Sequence, residues 1–245
     1  MAAFPTYIKR AGKRLLRHAG IEAHSYVPAS SRDAQLKASM QHFAITHVLD
    51  IGANEGQFGL ELLENGYDGT LISVEPLREA HAILARHAKR HARWTAHAPV
   101  AVGASEGEIV FHVAANSVSS SALEVLSAST DAAPESRQIE QRTVPVTTVD
   151  ALSAGCRLPG SGSMLKVDTQ GFEWAVLDGA ARTLNHFQLV YLELSLTGLY
   201  EGQRLWLEII ERMARSGFGV WSIHPEFVSP ATGQTLQVNG LFHRL

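Results

Sequence analysis

The 245 residues are 45% hydrophobic and 18% charged, enough apolar material for one large core and too mixed a composition for a disordered or collagen-like chain. A formal charge of −3 gives no support for a general polyanion binder, so no nucleic-acid partner is expected. The single cysteine, Cys156, excludes an intrachain disulfide and fits an expected cytoplasmic location, and no apolar run reaches the roughly 20 residues that span a bilayer.

Residues 1–45 are expected to form an N-terminal helical extension, with residues 6–45 reading as helix broken by the loop around Pro28 to Ser31. Its start is basic: Lys9, Arg10, Lys13, Arg14 and Arg17 precede the first acid, Glu22, without the apolar stretch of a secretory signal. An exposed leading helix is the plain reading, and peripheral contact with a membrane surface the alternative. Residues 46–245 read as one domain. Thr46–Gly52 is an apolar, β-branched run ending at glycine, the pattern of a buried strand, and Gln57–Asn65 has helical spacing. Gly69–Pro76 is a second strand, followed by an alanine-rich helix from Arg78 to about His91. Trp94–Gly103 carries a third strand and Glu108–Ala114 its hairpin partner. Residues 115–143, polar and rich in serine and alanine, read as a loop or mobile insertion, with Val144–Leu152 a short edge strand.

Met164–Asp168 is the next core strand, and Phe172–Leu184 is helical, with Val176, Ala180 and Leu184 on one face. Leu189–Leu194 is another buried strand, Arg204–Arg215 an amphipathic helix, and Gly219–Ile223 and Thr235–Phe242 two closing strands that pair antiparallel. Strands alternating with helices imply an α/β, Rossmann-like fold. Its sheet is expected to be mostly parallel with an antiparallel edge and covered by helices on both faces.

The most informative segment, VLDIGANEGQF (48–58), joins a predicted buried strand to a predicted helix. Glycines there let the backbone turn tightly and approach a ligand, and the helix start offers unpaired N–H groups. The spacing is Gly52-x-Asn54-x-Gly56, without the third glycine of a dinucleotide fingerprint. Asp50 is awkward beside a phosphate but suits a ligand with an ammonium and a sulfonium, such as S-adenosylmethionine (AdoMet), whose amino group it can receive through the loop. Glu75, 25 residues on at the end of the next strand, can accept both ribose hydroxyls of an adenosine moiety.

VLDIGANEGQFG (48–59) followed by ISVEP (72–76) resembles motif I and the ribose acid of class I methyltransferases. LKVDTQGFEWAVLDGA (165–180) and LVYLELSLTGLYEGQ (189–203) look like the FkbM-type branch. The resemblance implies AdoMet bound by Asp50, Gly52, Asn54, Gly56 and Glu75, with Val102, in the segment Ala101–Gly103, near the adenine. It also implies O-methylation of a hydroxyl on a sugar or a glycosylated or polyketide natural product, a small-molecule or glycan acceptor.

A hydroxyl acceptor needs its proton removed, by a carboxylate, a histidine or polarisation on a metal. Asp168 ends the strand MLKVD, Glu193 lies near the end of LVYLE, and Glu173 follows in the first turn of the next helix. Parallel neighbouring strands would bring these acids to the rim that holds the glycine loop. They read either as a general base with hydrogen-bonding partners or, in a metal-assisted alternative, as a magnesium site built on Asp168 and Glu193. The bland reading is that Asp168 and Glu173 only cap their helix. His224, after a predicted strand, is the best histidine base. Lys166 leans structural, Asn116 and Ser119–Ser121 lean to a solvated loop, and Cys156 has no histidine nearby. A nicotinamide-dependent oxidoreductase is the competing class.

Overall fold

In the computed structural model, which describes residues 16–21, 25–156, 158–159 and 161–245, the β-branched runs form the middle of a seven-stranded sheet. With strands numbered along the chain, its order is β3 (Trp94–Ala96), β2 (Thr70–Val74), β1 (His47–Ile51), β7 (Ser163–Val167), β8 (Leu189–Ser195), β10 (Thr235–Arg244), β9 (Phe218–Val228). The first five pair in parallel, and β10 runs antiparallel between β8 and β9. This is the α/β fold expected, antiparallel edge included. The helices are α1 (Arg32–His42), α2 (Gln57–Glu64), α3 (Arg78–Ala88), α4 (Ser127–Ala132), α5 (Val149–Gly155), α6 (Glu173–Asp178) and α7 (Trp206–Arg215). Two compact units are distinguished, one ending at Ser39 and one running from Met40 to Leu245.

The central strands are largely apolar because helices cover both of their faces. On one face α5, α6 and α7 bring Val149, Leu152, Val176, Leu177, Ile209 and Met213 into a core with Leu49, Ile51, Leu165, Val167 and Leu192. Each such buried aliphatic side chain contributes about 1.5–3 kcal/mol. The other face departs from this pattern. Ser73, Asp50, Lys166 and Tyr191 lie in register across β2, β1, β7 and β8, a polar row through the middle of the sheet. Phe58 of α2 stacks on Tyr191, ring centroids 5.7 Å apart, and closes this row from above.

Four sequence expectations are corrected. The third strand is two: β3 stays in the main sheet, while β4 (Ala101–Val102) joins a separate three-stranded sheet, because Pro99 interrupts the ladder between them. The partner of β5 (Gly107–Ala114) is β6 (Gln138–Thr147), which also pairs with β4 and is therefore the centre of the small sheet. The edge strand expected at Val144–Leu152 thus ends at Thr147, and Thr148, accepting the Ala151 N–H at 3.1 Å, caps α5. The helix expected over Phe172–Leu184 stops at Asp178 with Gly179 as its cap.

The polar stretch 115–143 is an ordered arm holding α4, two 3₁₀ turns and half of β6. The basic residues Lys9, Arg10, Lys13 and Arg14 lie outside the described residues. Among the described residues no helix is long and apolar enough to cross a membrane.

Candidate active site

The chain leaves β1 at Ile51 and enters α2 through Gly52, Asn54 and Gly56, all with positive φ. At Gly52 glycine is compulsory: φ is +71°, and a Cβ there would stand 1.8 Å from the carbonyl oxygen of Asp168. The ends of β1 and β7 therefore meet at this point. Beneath the loop, the Lys166 ammonium lies 3.1 Å from Asp50 and donates to the Gly52 carbonyl at 2.9 Å. Asp50 also accepts the Ser73 hydroxyl at 2.9 Å, and the Trp94 indole N–H donates to that hydroxyl at 3.0 Å. Asp50 is wholly buried, so its charge acts on Lys166 and the loop rather than at a surface. Burial pulls the Lys166 ammonium down, but Asp50 and Asp168 outweigh it and hold its pKa above the ordinary lysine value.

Glu75 follows β2. Its two carboxylate oxygens accept the backbone N–H groups of Asn54 and Leu77, each at 2.9 Å, tying it to the glycine loop. A carboxylate has about four acceptor positions, so roughly two stay open on Glu75. Burial pushes its pKa up to about 7, against the pull of those two hydrogen bonds. Val102, at the end of β4, is buried in the core that also contains Val74, next to Glu75.

The second half of the site lies past β7 and β8. Asp168 follows β7 with its side chain 37% exposed, while Glu193 on β8 is buried. Between them stands Gln170, whose amide donates to Asp168 Oδ1 at 2.8 Å and to Glu193 Oε2 at 2.9 Å. Its Oε1 accepts the Tyr200 hydroxyl at 2.9 Å. Burial, then Asp168, Glu173 and Glu226, raise Glu193 well above the usual carboxylate range, partly offset by Gln170. Glu173 faces back into its own turn: Oε1 accepts N–H groups of Thr169 and Gly171 at 2.9 and 3.2 Å and the Thr169 hydroxyl at 3.2 Å. His224 lies inside β9 rather than after it, in register with Asn239, which is itself in register with Glu193. The Asn239 amide donates to Glu226 at 2.7 Å.

The arm between β5 and β6 reaches both halves. Ser117 donates to Asn54 Oδ1 at 3.2 Å, Ser121 donates to the Gln170 carbonyl at 2.7 Å, and Tyr200 bonds the Ser119 carbonyl at 3.1 Å. Ser120 and Ser121 are buried, in contrast to the solvated loop expected for 119–121. Sequence reading missed Gln170 and Tyr200 as site residues. For Gln170 a signal existed: in DTQGFE a glutamine and a glycine form a turn between two acids. Among the described residues no group of three or more His, Cys, Asp or Glu side chains is arranged to hold a metal ion.

Buried acids predict how stability varies with pH. Glu173 is pushed from 4.5 up to about 7, chiefly by burial and despite its hydrogen bonds to the turn. The folded state then binds the proton more tightly than the unfolded one, so the stabilising contribution is full below pH 4.5 and is lost as pH rises through about 7. Thermal unfolding midpoints are expected to fall across that window. Glu173→Gln, whose amide oxygen still accepts the turn's N–H groups, should remove part of the slope, on the order of 3 kcal/mol. A variant with the wild-type slope would contradict this account.

The sequence model of the methyltransferase FkbM domain matches residues 50–220. No curated protein matches the chain. Among solved structures, a TehB-like SAM-dependent methyltransferase from Corynebacterium glutamicum is 13% identical, with 98% of this chain and 96% of that one covered and a TM-score of 0.42. An rRNA methylase from Streptococcus thermophilus is 7% identical, with 88% and 98% covered and a TM-score of 0.47. A precorrin-6y C5,15-methyltransferase from Geobacter metallireducens is 9% identical, with 86% and 88% covered and a TM-score of 0.42.

Proposed function

Because the chain belongs to the FkbM methyltransferase family and so is an AdoMet-dependent methyltransferase, we propose that its acceptor is a hydroxyl group, carried by a sugar or by a glycosylated or polyketide product. The nicotinamide-dependent alternative falls with that membership. The residues fit the cofactor. Glu75 has acceptor capacity left for a ribose diol, the backbone from Gly52 to Gly56 can come close to a ligand, and the rim carries Glu75, Asp168 and Glu193 beside the buried Lys166. A ligand bearing an ammonium and a sulfonium would favour the ionised forms of these raised acids. When bound, AdoMet supplies the methyl group on that sulfonium.

One observation carries the oxygen assignment: two carboxylates, Asp168 and Glu193, converge on one amide at the carboxyl ends of adjacent strands, beside the glycine loop. A hydroxyl oxygen that takes the methyl group must lose its proton, and a carboxylate within hydrogen-bond reach contributes about 10²–10⁴-fold to such a step. Asp168, the more exposed of the two, is assigned to receive the acceptor's proton. Glu193, buried behind it and held by the other hydrogen of the Gln170 amide, shapes the field. Glu173 is assigned to hold the turn, and His224, two strands from Glu193 in register, to the outer wall of the acceptor cleft. Lys166 fixes the Gly52 carbonyl and so the loop's height above the sheet. In-line displacement needs alignment above all, and these contacts supply it. The same acidic floor supports a neutral polyol over the phosphate backbone of a nucleic acid.

In the metal-assisted alternative Asp168 and Glu193 would share a cation in the place that the Gln170 amide occupies between them. The deciding experiment incubates the enzyme with methyl-labelled AdoMet and a panel of methyl hexosides and 6-deoxyhexosides. Label in an alkali-stable ether is the expected result. Transfer only to nitrogen or carbon acceptors would end the oxygen assignment.

A further inference from the structure

The turn that follows β7 places a neutral side chain among acids, and its backbone shows how firmly that placement is enforced. Gln170 has φ +55°, a left-handed conformation that non-glycine residues seldom adopt, and Gly171 follows at +92°. Such strain costs about 1–3 kcal/mol and persists only where surrounding contacts impose it. Here Ser121 donates to the Gln170 carbonyl at 2.7 Å, and Glu173 accepts the N–H groups on either side.

The outcome of the strain is the position of one amide. Both of its hydrogens are used, one on Asp168 at 2.8 Å and one on Glu193 at 2.9 Å. Its oxygen accepts the Tyr200 hydroxyl at 2.9 Å. Burial and the neighbouring acids keep that phenol protonated. With partners at both ends the amide has one orientation, donors toward the acids. The nearest cation, Lys166, lies 3.8 Å from Asp168 but is committed to Asp50 at 3.1 Å and to the Gly52 carbonyl at 2.9 Å. Glu173 and Glu226 add further negative charge around Glu193. In that field Glu193 gives up its proton reluctantly, and an amide that donates to both acids holds them at one separation in either protonation state.

We propose that Gln170 is the positioning residue of this acid pair, its amide bridging Asp168 and Glu193 in the place where a divalent cation would otherwise hold them. The proposal rests on the reading of these two acids as the proton-handling groups and explains how they stay aligned. It also implies that transfer proceeds without a metal at this pair.

Manganese(II) alone is the first probe, followed by electron paramagnetic resonance in the protein without cofactor or acceptor. Wild type is expected to take up no ion at the pair at submillimolar concentration. Gln170→Glu, which replaces the donor by a third carboxylate, should bind one ion, and adding Asp168→Asn should remove it. Manganese held by wild type at the pair, or none held by Gln170→Glu, overturns the proposal. The kinetic arm uses Gln170→Met, similar in length but without hydrogen bonds. Its kcat for a hexoside is expected to fall about 10–100-fold, with AdoMet affinity and thermal midpoint near wild type. Unchanged kcat, or parallel losses of affinity and stability, overturns it. Should that variant fail to fold, Tyr200→Phe removes the hydroxyl that orients the amide and also bonds the Ser119 carbonyl, and the expected drop in kcat is about 3–10-fold with AdoMet affinity unchanged; no drop counts against the proposal. If no hydroxyl acceptor is methylated at all, the functional reading fails, while the manganese titration still decides the bridge.

Discussion

Gly52→Ala should abolish measurable AdoMet binding and lower folding stability by at least about 2 kcal/mol. Left-handed backbone alone costs an alanine about 1–2 kcal/mol. The greater penalty is steric, because the new methyl would sit 1.8 Å from the Asp168 carbonyl oxygen, far inside contact distance. The loop and the end of β7 would have to part. That displacement moves the Gly52 carbonyl off Lys166 and takes Asp168 away from the loop it faces. Calorimetric titration with AdoMet and urea unfolding measure the two effects separately. An alanine variant that binds AdoMet normally would mean that the loop can relax, and the close approach of β1 and β7 would lose its assigned importance.

Asp168→Asn is expected to act on a different quantity. Transfer to a hydroxyl acceptor should fall about 10²–10⁴-fold, the usual contribution of a positioned base. AdoMet affinity should change little, since no cofactor contact is assigned to this side chain. Stability should hold or rise: the asparagine oxygen can still accept from Gln170, and a negative charge that now opposes ionisation of Glu193 and Glu173 disappears. Initial rates, binding calorimetry and thermal unfolding on the same preparations test all three. Full activity would remove Asp168 from the chemistry and leave Glu193 as the base.

How much of this could be read from the residues depended on burial. β1, β2, β7 and β8 were legible because strands covered on both faces are continuous apolar runs, and LVYLEL is one even with a glutamate in it. β6 was not, since QIEQRTVPVT is largely exposed and carries Pro145 near its end, so no alternation marks it. α6 was read too long because Val176, Ala180 and Leu184 keep helical spacing past its end. The acids at strand ends announced themselves by charge and position. Gln170 and Tyr200 did not: both are neutral, they lie 30 residues apart, and only the folded chain shows that one orients the other. Lys166 could be placed in its strand, but its pairing with Asp50 required the register of β1 against β7.

The arm over the site is strung between β5 and β6, and both of those strands belong to the small sheet. Its length can therefore change without shifting the register of any strand in the seven-stranded sheet, where Asp50, Asp168 and Glu193 are fixed. The arm still bears on that floor, because Ser117 bonds Asn54, Ser121 bonds the Gln170 carbonyl and the Ser119 carbonyl accepts from Tyr200. For an engineer, a replacement for residues 115–137 has to keep those three contacts if the cofactor loop and the Gln170 turn are to stay in place.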